Sequence, residues 1–326
     1  MTRRTRLWAL VIGFWVICLV VAASPVVSRE LAPETSGGWQ KASGNPLIGG
    51  SLGVCFDASV LKDGDTYKAW FSWRPKASIA YVESKDGLTW SAPVVVLAPT
   101  TSGWEDDVNR PTVIERGGRF EMWYTGQSGS KSAIGYATSP DGITWTRAQA
   151  DPVLEAQGGW ELNSVMSPFV RVDEATGTYR LWYAAGDNYE PDSVGYATSP
   201  DGIHWQRDSR NPVFRPGPKG AWDGAKVGAV DIEPDGGGYV MFYIGFSDTD
   251  HAQIGVARSA DGVTDWQRST ANPIIRPGHL FAWDSDAVYR PAVVHEPGRW
   301  LLYYNGRNGT TEQIGLAIHE GDELAP

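Results

Sequence analysis

The sequence predicts an all-β protein: a five-bladed β-propeller closed by an N-terminal outer strand in the last blade. Two observations carry this prediction. One unit of four short strands recurs five times along the chain, and the fifth copy stops before its outer strand. A segment near the N-terminus has the pattern of that missing strand. Four-stranded units repeated radially form a propeller, which leaves only short, protected sheet edges.

The repeat is clearest where the third strand of each unit leads into the fourth. The common form is Ile-Gly-Tyr-Ala-Thr-Ser-Pro-Asp-Gly-x-x-Trp, and four copies end at Trp90, Trp145, Trp205 and Trp266. A fifth copy starts at Ile314 and meets the C-terminus. Aromatic and β-branched residues before each copy indicate strands, and Gly, Pro, Asp and Ser mark the turns. Each unit therefore has four strands.

The segment Asn45-Pro46-Leu47-Ile48 matches the outer strands that begin at Asn211-Pro212 and Asn272-Pro273. We expect it to pair with the last blade and close the ring, because closure removes open edges. The alternative is an open β-solenoid, which would leave this segment without a role.

The N-terminal residues form a separate element. Arg3, Arg4 and Arg6 precede an apolar run over residues 7–23, which is typical of a secretory signal peptide or, if it is not cleaved, of a signal anchor. We therefore assign residues 1–28 to this segment, 29–38 to a linker and 39–326 to the propeller. The protein is expected to be a monomer that is secreted or otherwise extracytoplasmic, with membrane attachment only through residues 7–23.

Composition excludes several classes of partner. The chain has 28 Lys and Arg against 38 Asp and Glu, a net charge of −10. An acidic protein repels phosphate backbones, so nucleic acid is not expected as a partner. Cys18 lies in the apolar run, which leaves Cys55 as the only thiol of the propeller and allows no internal disulfide. No His/Cys cluster suggests zinc, and we expect neither a metal nor a cofactor.

Two kinds of loop are expected to meet on one face of the ring. One kind follows the second strand of each blade, as at Trp73, and the other connects successive blades and carries a Trp followed by an acid, as at Trp160-Glu161. The residue that enters each innermost strand should face the central axis. By register these axial residues are Asp57, Arg110, Ser167, Ala229 and Arg290, with Asn109, Asp231 and Tyr289 beside them. We expect the functional site in this axial funnel.

The repeated Ser-Pro-Asp-Gly turns should lie on the opposite face. Asp and Gly favour a tight turn, and the following Trp can pack between blades. We interpret these turns as structural.

One segment resembles a known family. Phe56-Asp57-Ala58-Ser59-Val60, followed by Asp63-Gly64-Asp65-Thr66-Tyr67, is similar to the Asp-Pro-Ser-Val and Gly-Asp-Thr-Tyr-Tyr segments of glycoside hydrolase family 43. Over residues 39–320 the chain resembles the five-bladed propeller glycoside hydrolases, which include families 43, 62, 32 and 130. The resemblance implies that Asp57 is a general base. It leaves the family open, because the Arg-Pro pairs and Val227-Gly228 are also reminiscent of family 130.

The other two carboxylates of family 43 do not carry over by motif. Its second Asp corresponds to Arg110 or Ser167, and its general acid corresponds to Met166. The nearest alternative acids are Glu161 and Asp107 in the connecting loops; either could instead cap its loop as a structural residue.

The resemblance implies an exported glycosidase that acts on furanosides or related glycans, as arabinofuranosidases, xylosidases and fructosidases do, by two-carboxylate acid/base hydrolysis. The substrate would be an oligosaccharide or polysaccharide. The residues expected to contact it are Arg110, Arg290, Trp73, Asn109, Asp231 and Tyr289. Two alternatives stay open: a non-catalytic carbohydrate-binding or scaffolding propeller, and a glycoside phosphorylase like those of family 130.

Overall fold

In residues 32–326, apart from Ser102, Asn188 and Tyr189, the computed structural model contains twenty strands arranged as five antiparallel blades. This confirms the predicted five-bladed β-propeller. The predicted signal segment lies outside the described residues. Among the residues that are described, no helix has the length and apolar character needed to cross a membrane.

The blades follow one another along the chain. Blade I contains β2 to β5, at Cys55–Asp63, Thr66–Trp73, Ser78–Ser84 and Val94–Leu97. Blade II contains β6 to β9, at Asp107–Arg116, Arg119–Ser128, Lys131–Ser139 and Thr146–Arg147. Blade III contains β10 to β13, at Ser164–Val172, Tyr179–Asp187, Glu190–Ser199 and Gln206–Arg207. Blade IV contains β14 to β17, at Lys226–Asp235, Gly238–Phe246, Ala252–Ser259 and Gln267–Arg268.

Blade V combines the two ends of the chain. Its strands are β18 to β20, at Ala287–Glu296, Arg299–Asn308 and Thr311–Glu320, and β1 at Trp39–Lys41. The described residues also include short 3-10 helices at Gly50–Leu52, Arg74–Lys76 and Gly159–Glu161. In each blade the first strand is innermost and the fourth is outermost.

The ring closes through the predicted segment, but the closing strand starts earlier than predicted. Ile48 pairs with Ile314, and the Asn45 side chain accepts a hydrogen bond from the Leu316 amide at 2.8 Å. Upstream, β1 already pairs with β20. Trp39 stands seven residues before Pro46, the spacing that separates the repeat tryptophans from the prolines of blades II to IV. Trp39 is therefore the fifth copy of the repeat tryptophan.

Residues assigned to the linker are held against blade IV. Thr35 pairs with Ile275, and the Ser36 amide donates to the Ile274 carbonyl at 3.0 Å. The N-terminal arm therefore covers the outer edge of blade IV before it enters blade V.

Tryptophans of the second strands hold neighbouring blades together. The indole Nε1 atoms of Trp70, Trp123 and Trp182 donate to the glycine carbonyls of the Ser-x-Asp-Gly turns of the next blade, at 2.7, 2.8 and 2.9 Å. Within these turns Asp141 accepts the amides of Thr144 and Ile143, and these bonds hold the pKa of its carboxyl well below its usual range. The turns thus join blades, as their composition predicts.

Candidate functional site

Each innermost strand has a β-bulge near its start. Five residues at these bulges have left-handed backbone conformations: Asp57 (φ 50°), Arg110 (52°), Ser167 (51°), Ala229 (30°) and Arg290 (52°). Such angles are uncommon for residues with a side chain and concentrate at functional sites. They are the five axial positions expected from the register of the repeat. A bulge bends its strand and redirects a side chain, so the five side chains start from equivalent positions around the axis.

Asp57 is held between blades II and V. Its carboxylate is 4% exposed; Oδ2 lies 3.1 Å from Arg110 Nε, and Asn305 Nδ2 donates to Oδ1 at 2.5 Å. Asn305 Oδ1 in turn accepts the Asp57 amide at 2.9 Å. Burying a carboxylate is costly unless it is paired and hydrogen-bonded. Both conditions hold here, so the carboxylate has one defined orientation.

A chain of polar contacts links Asp57 to the second predicted carboxylate, Asp107. Arg110 Nη1 donates to Asn109 Oδ1 at 2.7 Å, and Asn109 Nδ2 donates to Asp107 Oδ1 at 2.6 Å and to Gln127 Oε1 at 2.7 Å. The structure therefore brings Asp57, Arg110, Asn109 and Asp107 together. Asn109 is 1% exposed, so it can orient its neighbours more readily than it can reach a sugar.

A third carboxylate, Glu312 at the start of β20, was missed from the sequence. Glu312 Oε1 lies 3.5 Å from Arg74 Nη2, and its side chain is 17% exposed. Burial raises the pKa of Tyr289 well above its ordinary value, and the charges of Glu312 and Asp57 add to that effect. Tyr289 is paired in register with Asn305, the hydrogen-bond partner of Asp57. The sequence contains a signal for Glu312, because the blades differ at its position. Two residues before the third-strand repeat begins, the five blades carry Ala77, Ser132, Asp192, Ala252 and Glu312.

Arg290 occupies the centre of the ring. Its Nη2 donates to the carbonyls of Pro111 in blade II and Pro168 in blade III, at 3.3 and 3.4 Å. Burial lowers the pKa of its guanidinium, and the charges of Asp57 and Asp231 oppose that effect. Arg290 thus joins the inner strands of blades II and III, and its contact with a substrate stays a prediction.

Asp231 of blade IV points toward blade V. Its Oδ2 accepts the Val293 amide at 2.8 Å. Burial raises the pKa of Asp231 well above its ordinary value, and the charge of Glu233 adds to this. Asp231 lines a cavity of about 320 Å³ between the inner strands, together with Ala58 and Arg290. A substrate-contacting role for Asp231 stays a prediction that this placement does not favour.

Glu161 belongs to a cluster that recurs between blades. Its Oε1 accepts from Tyr183 Oη at 2.7 Å and lies 2.7 Å from Arg207 Nε. The same grouping of an acid, a tyrosine and a base occurs in other blades as Glu105–Tyr124–Arg147, Asp223–Tyr243–Arg268 and Asp284–Tyr304–Lys41. A contact shared by four blades favours the structural alternative for Glu161, and its role as a general acid stays a prediction.

Trp73 is half-buried beside the site. Its Nε1 donates to the Leu52 carbonyl at 2.8 Å, and Lys76 Nζ lies 5.7 Å from the ring centroid. The ring is thus fixed by the loop that enters blade I. Its predicted stacking on a sugar stays a prediction.

A smaller cavity of about 170 Å³ lies on the same face as Asp57, between blades IV and V. Its lining includes Lys226, Phe246, Asp250, Tyr289 and Arg307. Among the described residues, no group of three or more His, Cys, Asp and Glu side chains is arranged to hold a metal ion.

Comparisons with known proteins show what this chain is similar to. Residues 59–211 match the family model for the glycosyl hydrolases family 32 N-terminal domain. The uncharacterized protein Rv1502 of Mycobacterium tuberculosis is 28% identical over 279 residues, which cover 79% of this chain and 89% of that protein. A 1,2-beta-oligomannan phosphorylase of Thermoanaerobacter sp. is 27% identical over 191 residues, 57% of each chain.

Solved structures share the fold. A thermostable family-43 glycoside hydrolase has a TM-score of 0.68 at 18% identity and covers 83% of this chain and 91% of its own. A structure from a study of family 130 glycoside hydrolases that target β-1,2 mannosidic linkages has a TM-score of 0.69 at 19% identity, with coverages of 91% and 98%. Together the comparisons confirm the resemblance to the five-bladed propeller superfamily and support a glycoside hydrolase or phosphorylase. The family within it stays open.

Proposed function

We propose that this protein is an exported glycoside hydrolase that binds its glycan on the face of Asp57 and uses Asp57 as the general base. The observation that carries the proposal is the left-handed, buried Asp57 carboxylate, fixed by Arg110 and Asn305 at the mouth of the ring. A general base must be ionised and held within reach of the water it activates. Arg110 and Asn305 hold the Asp57 carboxylate in one orientation.

Hydrolysis with inversion also needs a general acid on the other side of the scissile bond. Asp107 is linked to Asp57 through Asn109 and Arg110. Glu312 contacts Arg74 and acts on Tyr289, which is paired in register with Asn305, the partner of Asp57. Asp107 is the acid expected from the sequence, and Glu312 is the candidate that the tertiary structure adds. Either would protonate the leaving oxygen while Asp57 accepts a proton from water.

The substrate proposal keeps the expectation of furanosides or related glycans. The match to the family 32 N-terminal domain supports it, and the N-terminal apolar segment supports export. A mannoside substrate is supported instead by the oligomannan phosphorylase and by the structure associated with β-1,2 mannosidic linkages. The assay panel should therefore include both classes.

Phosphorolysis is the second candidate reaction. It replaces water by inorganic phosphate, which needs basic side chains near the scissile bond. Arg110 contacts Asp57, Arg74 contacts Glu312, and Arg307 lines the cavity beside Tyr289. This concentration of guanidiniums around the carboxylates favours testing every substrate with and without phosphate.

The test is an assay of the purified chain on nitrophenyl arabinofuranosides, xylosides, fructosides and mannosides and on β-1,2-mannooligosaccharides, each with and without inorganic phosphate. We expect Asp57→Asn to lower kcat/KM by about 10³-fold. Asn tolerates a left-handed backbone, so the variant should keep its fold. Asp65→Asn is the matched control, because Asp65 is an exposed carboxylate in the β2–β3 turn of the same blade.

Uniform inactivity on this panel and on native polysaccharides would overturn the enzymatic proposal in favour of a glycan-binding propeller. Asp107→Asn and Glu312→Gln then separate the two candidate acids. The true acid's variant should lose activity least on substrates whose leaving group needs no proton, such as dinitrophenyl glycosides. Activity that appears only with phosphate would replace hydrolysis by phosphorolysis.

A further inference from the structure

The loop that leads from blade IV to blade V has an apolar tip. Leu280 is 81% exposed and Phe281 is 88% exposed, more than the other large hydrophobic residues of the described chain. Phe281 also has a left-handed backbone, with φ 72°. It stands two residues before Trp283, where the equivalent positions of blades III and IV are Gly158 (φ 77°) and Gly220 (φ 90°).

A phenylalanine is a poor choice for this position on folding grounds. Left-handed angles are disfavoured for L-residues with a side chain, and glycine adopts them freely. The exposed ring also buries no apolar surface that could offset the strain. Strained, exposed residues of this kind indicate function more often than stability.

The tip belongs to the same face as Asp57. Asn308 Nδ2 donates to the Ala282 carbonyl at 2.7 Å, and the Asp286 amide donates to the Arg307 carbonyl at 2.9 Å. These bonds attach the tip to the β19–β20 hairpin. Arg307 in that hairpin lines the 170 Å³ cavity together with Tyr289.

The cavity has lining residues next to both the tip and the candidate site. Arg307 belongs to the hairpin that is bonded to the tip, and Tyr289 is paired in register with Asn305, the hydrogen-bond partner of Asp57. The cavity also carries charges of both signs, from Lys226, Arg307 and Asp250. A neutral polyhydroxylated ligand can both donate to and accept from such a lining, whereas a lipid surface would have to desolvate it.

We propose that a glycan chain extends from Asp57 through this cavity to Leu280 and Phe281, so that the substrate is an oligosaccharide or polysaccharide with several sugar residues beyond the cleaved bond. This inference rests on the proposed function. The cavity would hold one sugar ring, and the Phe281 ring would stack on the apolar C–H face of a more distant one.

The test replaces Phe281 by the residue that blades III and IV use. Phe281→Gly removes the platform and relieves the left-handed strain, so its melting temperature should be equal to or above that of the parent. Affinity electrophoresis through gels containing linear arabinan or β-1,2-mannan should show a several-fold loss of retardation, measured in an Asp57→Asn background that does not consume the glycan. The ratio of kcat/KM for the polymer to kcat/KM for a nitrophenyl glycoside should fall about tenfold. This is the effect of losing one aromatic stacking contact as strong as those between aromatic side chains and nucleobases.

Ile143→Ser is the matched control, since Ile143 is an exposed apolar residue in a turn of the opposite face. Equal retardation and equal kinetic ratios for the parent and Phe281→Gly would overturn the inference, as would a parent chain that neither polysaccharide retards. If Phe281→Gly loses binding to phosphatidylcholine vesicles while its retardation equals that of the parent, the tip binds a lipid surface instead. If retardation depends on Phe281 but the chain has no activity, the glycan-binding role of the tip is supported and the enzymatic proposal is rejected. Failure of this inference and failure of the proposed function can therefore be told apart.

Discussion

At the scale of single residues, the five axial positions share one backbone conformation but carry four different types of side chain. The amides at three of these kinks are held by a side chain from the second strand of the preceding blade: Asp57 by Asn305, Arg110 by Ser72 and Ser167 by Thr125, at 2.9, 2.8 and 2.9 Å. At these three positions the left-handed conformation therefore depends on the neighbouring blade more than on the residue that adopts it. Side chains at these positions can change chemistry while the bulge is retained.

A substitution at Glu161 can distinguish a structural role for this residue from a catalytic one. Glu161→Gln removes the anion that pairs with Arg207, and we expect it to destabilise the protein by about 2 kcal/mol, since the partly buried guanidinium loses its charged partner. Asp223→Asn is the matched variant, because Asp223 makes the same contacts with Tyr243 and Arg268. Urea unfolding should give similar losses for both, and kcat/KM of the two folded variants should agree within threefold. A loss of about 10³-fold confined to Glu161→Gln would instead identify it as the general acid.

At the scale of the strand and blade, the outer edge is kept short. The fourth strands of blades II to IV have only two residues each and are followed by a single further bridge. Short edge strands limit pairing with other chains. Blade V follows the same plan with β1 and Ile48, although its two parts lie at opposite ends of the sequence.

Trp39 should contribute most among the repeat tryptophans of the outer strands. Its ring is 3% exposed and packs edge-on against Phe242 of blade IV at 5.9 Å between centroids. We expect Trp39→Ala to cost about 3–5 kcal/mol, the usual range for a large buried aromatic. Trp145→Ala, at the equivalent but half-buried position of blade II, should cost clearly less. Chemical denaturation measures both, and equal losses would contradict the assignment of Trp39 to the closing seam.

At the scale of the whole molecule, one carboxylate joins the last blade to the first. Glu296 at the end of β18 accepts hydrogen bonds from Lys62 at 2.5 Å and from Tyr67, both in blade I, and from Arg299 at 2.7 Å. Burial raises the pKa of Glu296, but these bonds outweigh it and hold the pKa at about 2, against an ordinary value of 4.5. The ring is thus closed by charge as well as by strand pairing.

The depressed pKa of Glu296 predicts a pH-dependent stability. A carboxyl with a lowered folded pKa stabilises the protein above its unfolded pKa, and that contribution is lost as the pH falls through the folded pKa. Glu296→Gln should therefore cost about 1–3 kcal/mol at pH 7, and the difference from the parent should shrink as the pH falls from 4.5 to about 2. Urea unfolding over this range provides the measurement. A difference that is independent of pH would mean that packing, not charge, holds this seam.

The sequence by itself determined the number of blades, the closing segment at Asn45–Ile48 and the five axial positions, because these follow from a repeat and from strand alternation, which are local properties of the chain. It also made Asp57 the candidate general base, because the surrounding segment resembles one of a known family. It could not determine that the closing strand begins at Trp39, or which carboxylates meet around Asp57. Those contacts join residues far apart in sequence, as with Asp57 and Asn305, which are 248 positions apart. Only the closed ring brings Glu312 beside Tyr289 and ties Glu161 to Arg207, since both outcomes depend on how neighbouring blades pack.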